Sequence, residues 1–213
     1  MARKTGPALA GELTEMKLTD SVRCGAWQLQ SVLLAYPDDA LLDSLSLLCR
    51  TAAALPEPIG APLQPLLNHL ERGAPLALVT EFVETFDHRK RFSPYLTWFL
   101  YGDTRKRDMA LLRFKQLYRA SGPVLDDGEL SDHLAMVLEF AAAFPLQGEQ
   151  LLLKHRTQIE AMRMTLRENG SPWTGVLESL SATLPPLRGE QSTAMAQLIA
   201  QGPPGSARRC TAL

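Results

Sequence analysis

Two carboxylates and an imidazole fall within five residues at Glu129-Leu130-Ser131-Asp132-His133. Asp132 and His133 could exchange a proton as an acid–base pair. The same set could instead grip a basic or helical peptide through charge-assisted hydrogen bonds. Helix-start chemistry competes with both. Ser131 is a good cap, and Asp132 and His133 would then occupy a first turn whose unpaired N–H groups favour a carboxylate or a bound anion. On spacing alone the simplest account is a helix start, with His133 satisfying a local hydrogen bond.

A second kind of chemistry lies upstream. Arg89-Lys90-Arg91 and Arg105-Lys106-Arg107 flank the aromatic segment Tyr95-Leu96-Thr97-Trp98-Phe99-Leu100. Guanidinium groups in such runs can hold the phosphates of a nucleotide-containing cofactor or an acidic patch on a partner. Arg89, Arg91, Arg105 and Arg107 are the candidates for that surface. Paired with Glu84, Asp87, Asp103 and Asp108 they would form a solvated face worth little pair by pair, and the charge pattern alone favours that account. Tyr95, Trp98, Phe99, Phe114 and Tyr118 recur at helical spacing, which usually means core. A short helix between two breaks cannot bury every face, so some of these rings are expected to line a groove.

Catalytic signatures are missing. No Gly-x-Ser-x-Gly, Gly-x-x-x-x-Gly-Lys or Gly-x-Gly-x-x-Gly occurs. His69, His88, His133 and His155 do not pair at ligand spacing, so no metal site is expected. Cys24, Cys49 and Cys210 form no Cys-x-x-Cys and fit a reducing compartment, with Cys24 and Cys49 in apolar helical runs as packing residues. A net charge of -1 argues against a dedicated nucleic-acid binder. No run approaches the ~18 apolar residues of a membrane span, and no apolar core of signal-peptide length follows Arg3 and Lys4. The expectation is a cytoplasmic, non-enzymatic protein without nucleic-acid partners or stable membrane insertion.

The elements that must position these residues read as helices throughout. The 213 residues suit one domain, and a chain of this length buries about 70% of its unfolded surface without staples. Val22, Ala26, Leu29, Val32 and Leu33 mark a first helix that Tyr36-Pro37 ends. Asp38 and Asp39 favour the start of a second, through Leu41, Leu45, Leu48 and Ala52. Further helices are predicted from Pro62 to Arg72, after Pro75 with Leu76, Val79, Phe82, Val83 and Phe86 on one face until Pro94 breaks the block, from Tyr95 to Leu100 and from about Asp103 to Ala120, the last between Gly102 and Gly122. Ser131 opens the next, a longer one runs from Leu146 to about Arg167, and one more spans Pro172 to Leu184. No stretch alternates with period two. The fold class is therefore all-α, a single compact bundle of about eight or nine helices. Residues 1–19 are expected to be a flexible N-terminus, 20–185 the helical domain, and 186–213 a mobile tail with at most a brief helix near Ala194–Ala200.

At these residues the chain resembles the NarJ family of nitrate reductase molybdenum cofactor assembly chaperones, part of the wider TorD/DmsD group of redox-enzyme maturation proteins. The likeness covers about Val22 to Leu184. It is strongest in Phe86-Asp87 with the basic residues after it, Tyr95-Leu96-Thr97, Gly102-Asp103-Thr104-Arg105-Lys106-Arg107 and Met109-Ala110-Leu111-Leu112. Leu130-Ser131-Asp132-His133-Leu134 and Val137-Leu138-Glu139-Phe140 continue it. Glu129, Asp132 and His133 match the Glu-x-x-Asp-His motif of the wider group, with Leu130 in place of its proline; Asp108 stands where the NarJ pattern has glycine.

The resemblance implies a TorD-like helical fold and a chaperone that holds the N-terminal segment of the apo nitrate reductase α subunit, alone or in the αβ complex, before membrane docking. It binds no cofactor stably and assists delivery of the molybdenum cofactor, molybdopterin guanine dinucleotide, to the client. Tyr95, Phe99 and Tyr118 are then the expected apolar contacts, and Glu129, Asp132 and His133 the polar rim. The alternative is a chaperone for a different molybdoenzyme of the same group. Monomer and dimer are both open.

Overall fold

Thr19 opens the first described helix: its hydroxyl accepts the Val22 N–H, and Asp20 in the first turn suits the helix dipole. The computed structural model describes residues 18–87, 92–122, 130–187 and 189–201, and within them the secondary structure is helical. The first four helices are α1 (Asp20–Leu33), α2 (Asp39–Asp43), α3 (Leu45–Ala54) and α4 (Glu57–Gly60). A 3-10 turn (Ala61–Leu63) leads to α5 (Gln64–Arg72), α6 (Pro75–Phe86), α7 (Trp98–Tyr101) and α8 (Arg105–Ser121). Then come α9 (Leu134–Ala143), α10 (Pro145–Lys154), α11 (Arg156–Glu168), α12 (Thr174–Thr183) and α13 (Glu190–Gln201).

The centre of the bundle is α1, held between α9 and α12. Trp27 is fully buried on α1, and its indole N–H donates to Thr183 Oγ1 at 3.0 Å. Gln30 Nε2 donates to Ser179 Oγ at 2.8 Å, and Ser31 Oγ to the Ala135 carbonyl at 2.8 Å. Three side chains of one helix thus tie it to both neighbours in the dry interior, where an unmade hydrogen bond would cost about 1–3 kcal/mol. Phe82 and Phe86 of α6 meet Trp173 edge-on, each with centroids 5.6 Å apart. Gly148 lets α10 lie against α9, because a Cβ there would overlap the Ala141 backbone.

The all-helical expectation holds, with more helices than eight or nine. The predicted second helix is two, because the chain turns at Ser44 between α2 and α3. The predicted long helix after Leu146 is also two: His155, at φ −103° and ψ 16°, leaves the helical region and separates α10 from α11. Helix α4 had no counterpart in the sequence reading. The aromatic helix is shorter than expected, beginning at Trp98 rather than Tyr95. Beyond Pro186, α13 is a twelve-residue helix packed on α11, longer than the brief helix anticipated. Cys24 and Cys49 are only partly buried, and Cys210 and residues 1–17 lie outside the described residues.

Candidate functional site

Two irregular segments cross between α6 and α9, and their crossing supports the site. Tyr95 and His133 pair as an isolated antiparallel bridge. Around it the Leu96 N–H donates to the Asp132 carbonyl at 3.0 Å and the Leu134 N–H to the Pro94 carbonyl at 2.8 Å. The Asp132 side chain, with 0% exposure, locks the crossing. Its Oδ2 accepts the Thr97 N–H at 3.0 Å and the Thr97 hydroxyl at 2.5 Å. Oδ1 faces the Arg107 guanidinium at 4.0 Å. Arg107 Nε also donates to Thr97 Oγ1 at 3.4 Å, and its guanidinium lies over the rings of Tyr95 and Trp98 at 5.7 and 5.1 Å. Helix α8 closes the assembly: the Tyr118 hydroxyl donates to the Ser131 carbonyl at 2.9 Å, and Ser131 Oγ to the Leu111 carbonyl at 3.3 Å.

The helix start differs from the sequence reading. Helix α9 begins at Leu134, two residues later than a Ser131 cap would give, and the cap is His133. Its Nδ1 accepts the Ala135 N–H at 3.2 Å, which fixes a neutral imidazole with its proton on Nε2. Burial favours that form, pushing the His133 pKa down against the attraction of Asp132 and Asp87. The Asp132 side chain does not cap the helix; its oxygens turn to Thr97 and Arg107 instead.

Outside the crossing lies a groove of about 720 Å³ between α1, α2 and α9. Val32, Leu41 and Met136 contribute apolar surface to it, and Tyr36, Tyr95, Leu130 and His133 stand around it. Its charged lining residues are Asp38 and Glu139, with no lysine or arginine among them. Tyr36 is 49% exposed and meets Phe82 edge-on, while Tyr95 stands edge-on to His133 at 5.1 Å. The groove is thus apolar, ring-edged and acidic.

The structure brings Tyr95 and His133 together on this groove and puts two other expected contacts inside. Asp132 has no exposed surface and Tyr118 is 1% exposed, so neither can touch a partner here; both hold the crossing that carries Tyr95 and His133. Burial, and then the Asp132 charge, raise the Tyr118 phenol pKa, so it stays a hydrogen-bond donor. Arg107 turns inward to the same lock, whereas Arg105 is exposed. Neither forms an ion pair with Glu84, Asp87, Asp103 or Asp108. Glu129, Arg89 and Arg91 lie outside the described residues, as does the Phe99 side chain. Sequence reasoning missed Tyr36, Asp38 and Glu139. Their signal was an aromatic ring at a proline turn and a polar position within an apolar helix, too weak to find without the packing. Among the described residues no three His, Cys, Asp or Glu side chains gather as metal ligands, and no helix is long and apolar enough to cross a membrane.

Comparison with known proteins identifies the family. The family model described as nitrate reductase delta subunit matches residues 52–178. NarX of Mycobacterium tuberculosis, a nitrate reductase-like protein, is 35% identical over 182 residues, covering 83% of this chain but 27% of its own. NarJ of Bacillus subtilis, described as a probable nitrate reductase molybdenum cofactor assembly chaperone, is 33% identical over 160 residues, 72% of this chain and 85% of its own. NarJ of Escherichia coli, with the same described role, is 32% identical over 118 residues, 54% of this chain and 50% of its own. The chain therefore spans only about a quarter of the NarX relative's length. A crystal structure of a redox enzyme maturation protein from Archaeoglobus fulgidus superposes with TM-score 0.55 at 22% identity, over 73% of this chain and 90% of that one, which shows a shared fold. The chain belongs to the nitrate reductase delta subunit family.

Proposed function

We propose that this member of the nitrate reductase delta subunit family is a maturation chaperone for a nitrate reductase, and that the groove between α1, α2 and α9 holds a segment of the apo catalytic subunit. The observation that carries the reading is the groove's lining, apolar with tyrosines around it and charged only by Asp38 and Glu139. An amphipathic client segment with basic residues would bury its apolar side on Val32, Leu41 and Met136 and set its cations against the two carboxylates. The N-terminal segment of the α subunit is the proposed occupant, held in the cytoplasm until the molybdenum cofactor is inserted. The names of the Bacillus and Escherichia relatives support that role. In this reading the cofactor is the client's cargo, and the chaperone takes no part in the client's later membrane docking.

Tyr95 and His133 are the proposed wall of the site, and Tyr36 and Glu139 extend it. Asp132, Arg107 and Tyr118 are positioning residues. Calorimetry of the full chain with a synthetic peptide of the α subunit N-terminus tests this. Tyr36→Ala and Glu139→Lys alter exposed side chains and should each weaken binding about tenfold, or 1.4 kcal/mol. Unchanged affinity in both would remove the groove from the client site. Pull-down of the tagged chain should retain the apo nitrate reductase α subunit; retention of another molybdoenzyme instead would reassign the client.

A further inference from the structure

Helix α8 runs for seventeen residues yet buries only Phe114 and Tyr118 fully. Its outer side carries Arg105, Lys106, Met109, Leu112, Arg113 and Arg119, all exposed. At 100° per residue these six fall on one face, opposite the two buried rings and Arg107. Met109 is 56% and Leu112 44% exposed. None of the four cations has an ion-pair partner among the described residues, and Asp108 is the sole carboxylate in the helix. A hollow of about 320 Å³ opens on this side, lined by Tyr101, Arg105, Lys106, Met109, Ala110 and Arg113. It shares no lining residue with the groove.

We propose that the outer face of α8 docks an acidic amphipathic helix of a protein partner. Met109 and Leu112 meet the partner's apolar stripe, and Arg105, Lys106, Arg113 and Arg119 meet its carboxylates. Four like charges on one helix face repel one another, and a net charge of -1 means that this positive field is local. An acidic partner relieves the repulsion and is steered to this face rather than to the carboxylate-lined groove. The exposed Met109 and Leu112 decide between kinds of partner. Phosphates gain nothing from a thioether and an isobutyl group between the cations, whereas a helix laid along α8 buries both. From Arg105 to Arg119 the face is about 21 Å long, enough for about four turns of a partner helix.

Fluorescence anisotropy of the full chain tests the proposal with a labelled synthetic helix of about eighteen residues, a leucine stripe flanked by glutamates. A scrambled peptide of the same composition is the control, and pyrophosphate and a single-stranded oligonucleotide are competitors. The patterned peptide should bind at least about tenfold more tightly than the scrambled one. R105E/R113E should weaken it about tenfold or more and M109S/L112S about fivefold, with circular dichroism unchanged because none of these side chains is buried. Equal binding of the scrambled peptide, or no binding of either, overturns the proposal. So does displacement by pyrophosphate or the oligonucleotide together with indifference to M109S/L112S, which would make the face a phosphate site.

Discussion

The groove beside Tyr95 and the outer face of α8 share one basic run but are built in opposite ways. Arg105-Lys106-Arg107 is divided between them. Arg107 turns inward over Tyr95 and Trp98 and steadies the groove wall, whereas Arg105 stays in solvent with Lys106. The groove carries carboxylates and rests on a crossing pinned by backbone hydrogen bonds and a buried aspartate. The α8 face carries cations and rests on two aromatic anchors, Phe114 and Tyr118. A pinned wall suits recognition by shape, since little freedom is lost on binding. Unpaired surface cations suit capture by field, at a cost in salt sensitivity.

Asp132→Ala separates the two regions most strongly. It strips the buried Thr97 N–H and hydroxyl of their acceptor and leaves Arg107 without its facing carboxylate. The expected loss is about 3 kcal/mol or more, read from denaturant midpoints. If the crossing serves only the groove, client-peptide affinity falls by more than about tenfold while binding at the α8 face stays within about twofold. Equal losses at both would show that the two regions are one unit.

Acid should act next most strongly, and on the other region. His155 is 5% exposed and lies against Phe114, with centroids 5.3 Å apart. Burial, aided by the neighbouring Lys154 charge, pushes its pKa from 6.5 down to about 4. Between those values the unfolded chain binds the proton and the folded chain does not, so stability rises with pH across that window. It is fully present above pH 6.5 and lost as pH falls toward 4, by about 3 kcal/mol in all. His155→Leu should flatten that part of the stability profile. An unchanged slope would move the acid sensitivity elsewhere, with His133, also depressed by burial, as the next group to test.

The fold was largely legible because helix punctuation is local. Pro75 opens α6 where the sequence places it, and Asp38 caps α2 by accepting the Leu41 N–H at 2.9 Å. Gly102 ends α7 at φ 55° and Gly122 ends α8 at φ 108°, values that suit glycine. The break at His155 carries no such signal, since neither proline nor glycine marks it. The site was half legible. Asp132-His133 stood out, but spacing could not tell a helix start from a crossing whose partner, Thr97, lies thirty-five residues away. Helical spacing reads Tyr118 as core, where it lies, and only the family resemblance makes it a client contact; Arg107 reads as surface because periodicity gives a face and not what covers it. Tyr36, Asp38 and Glu139 converge on the groove only through packing of α1 against α9.

The smallest expected effect probes the seam between the two regions. Tyr118 belongs to α8, and its hydroxyl donates to the Ser131 carbonyl of the crossing. Tyr118→Phe keeps the ring packed on Phe140, at 4.6 Å between centroids, and removes one buried hydrogen bond, about 1 kcal/mol. Client-peptide affinity should change by less than about twofold if the Asp132 lock holds the groove alone. Combined with Asp132→Asn, the two losses should simply add, within about 0.5 kcal/mol, if α8 only rests on the crossing. A coupling beyond that would mean that α8 tightens the lock itself. A ligand on its outer face would then be felt in the groove through Tyr118 and Arg107, the two side chains that α8 sends inward to the crossing.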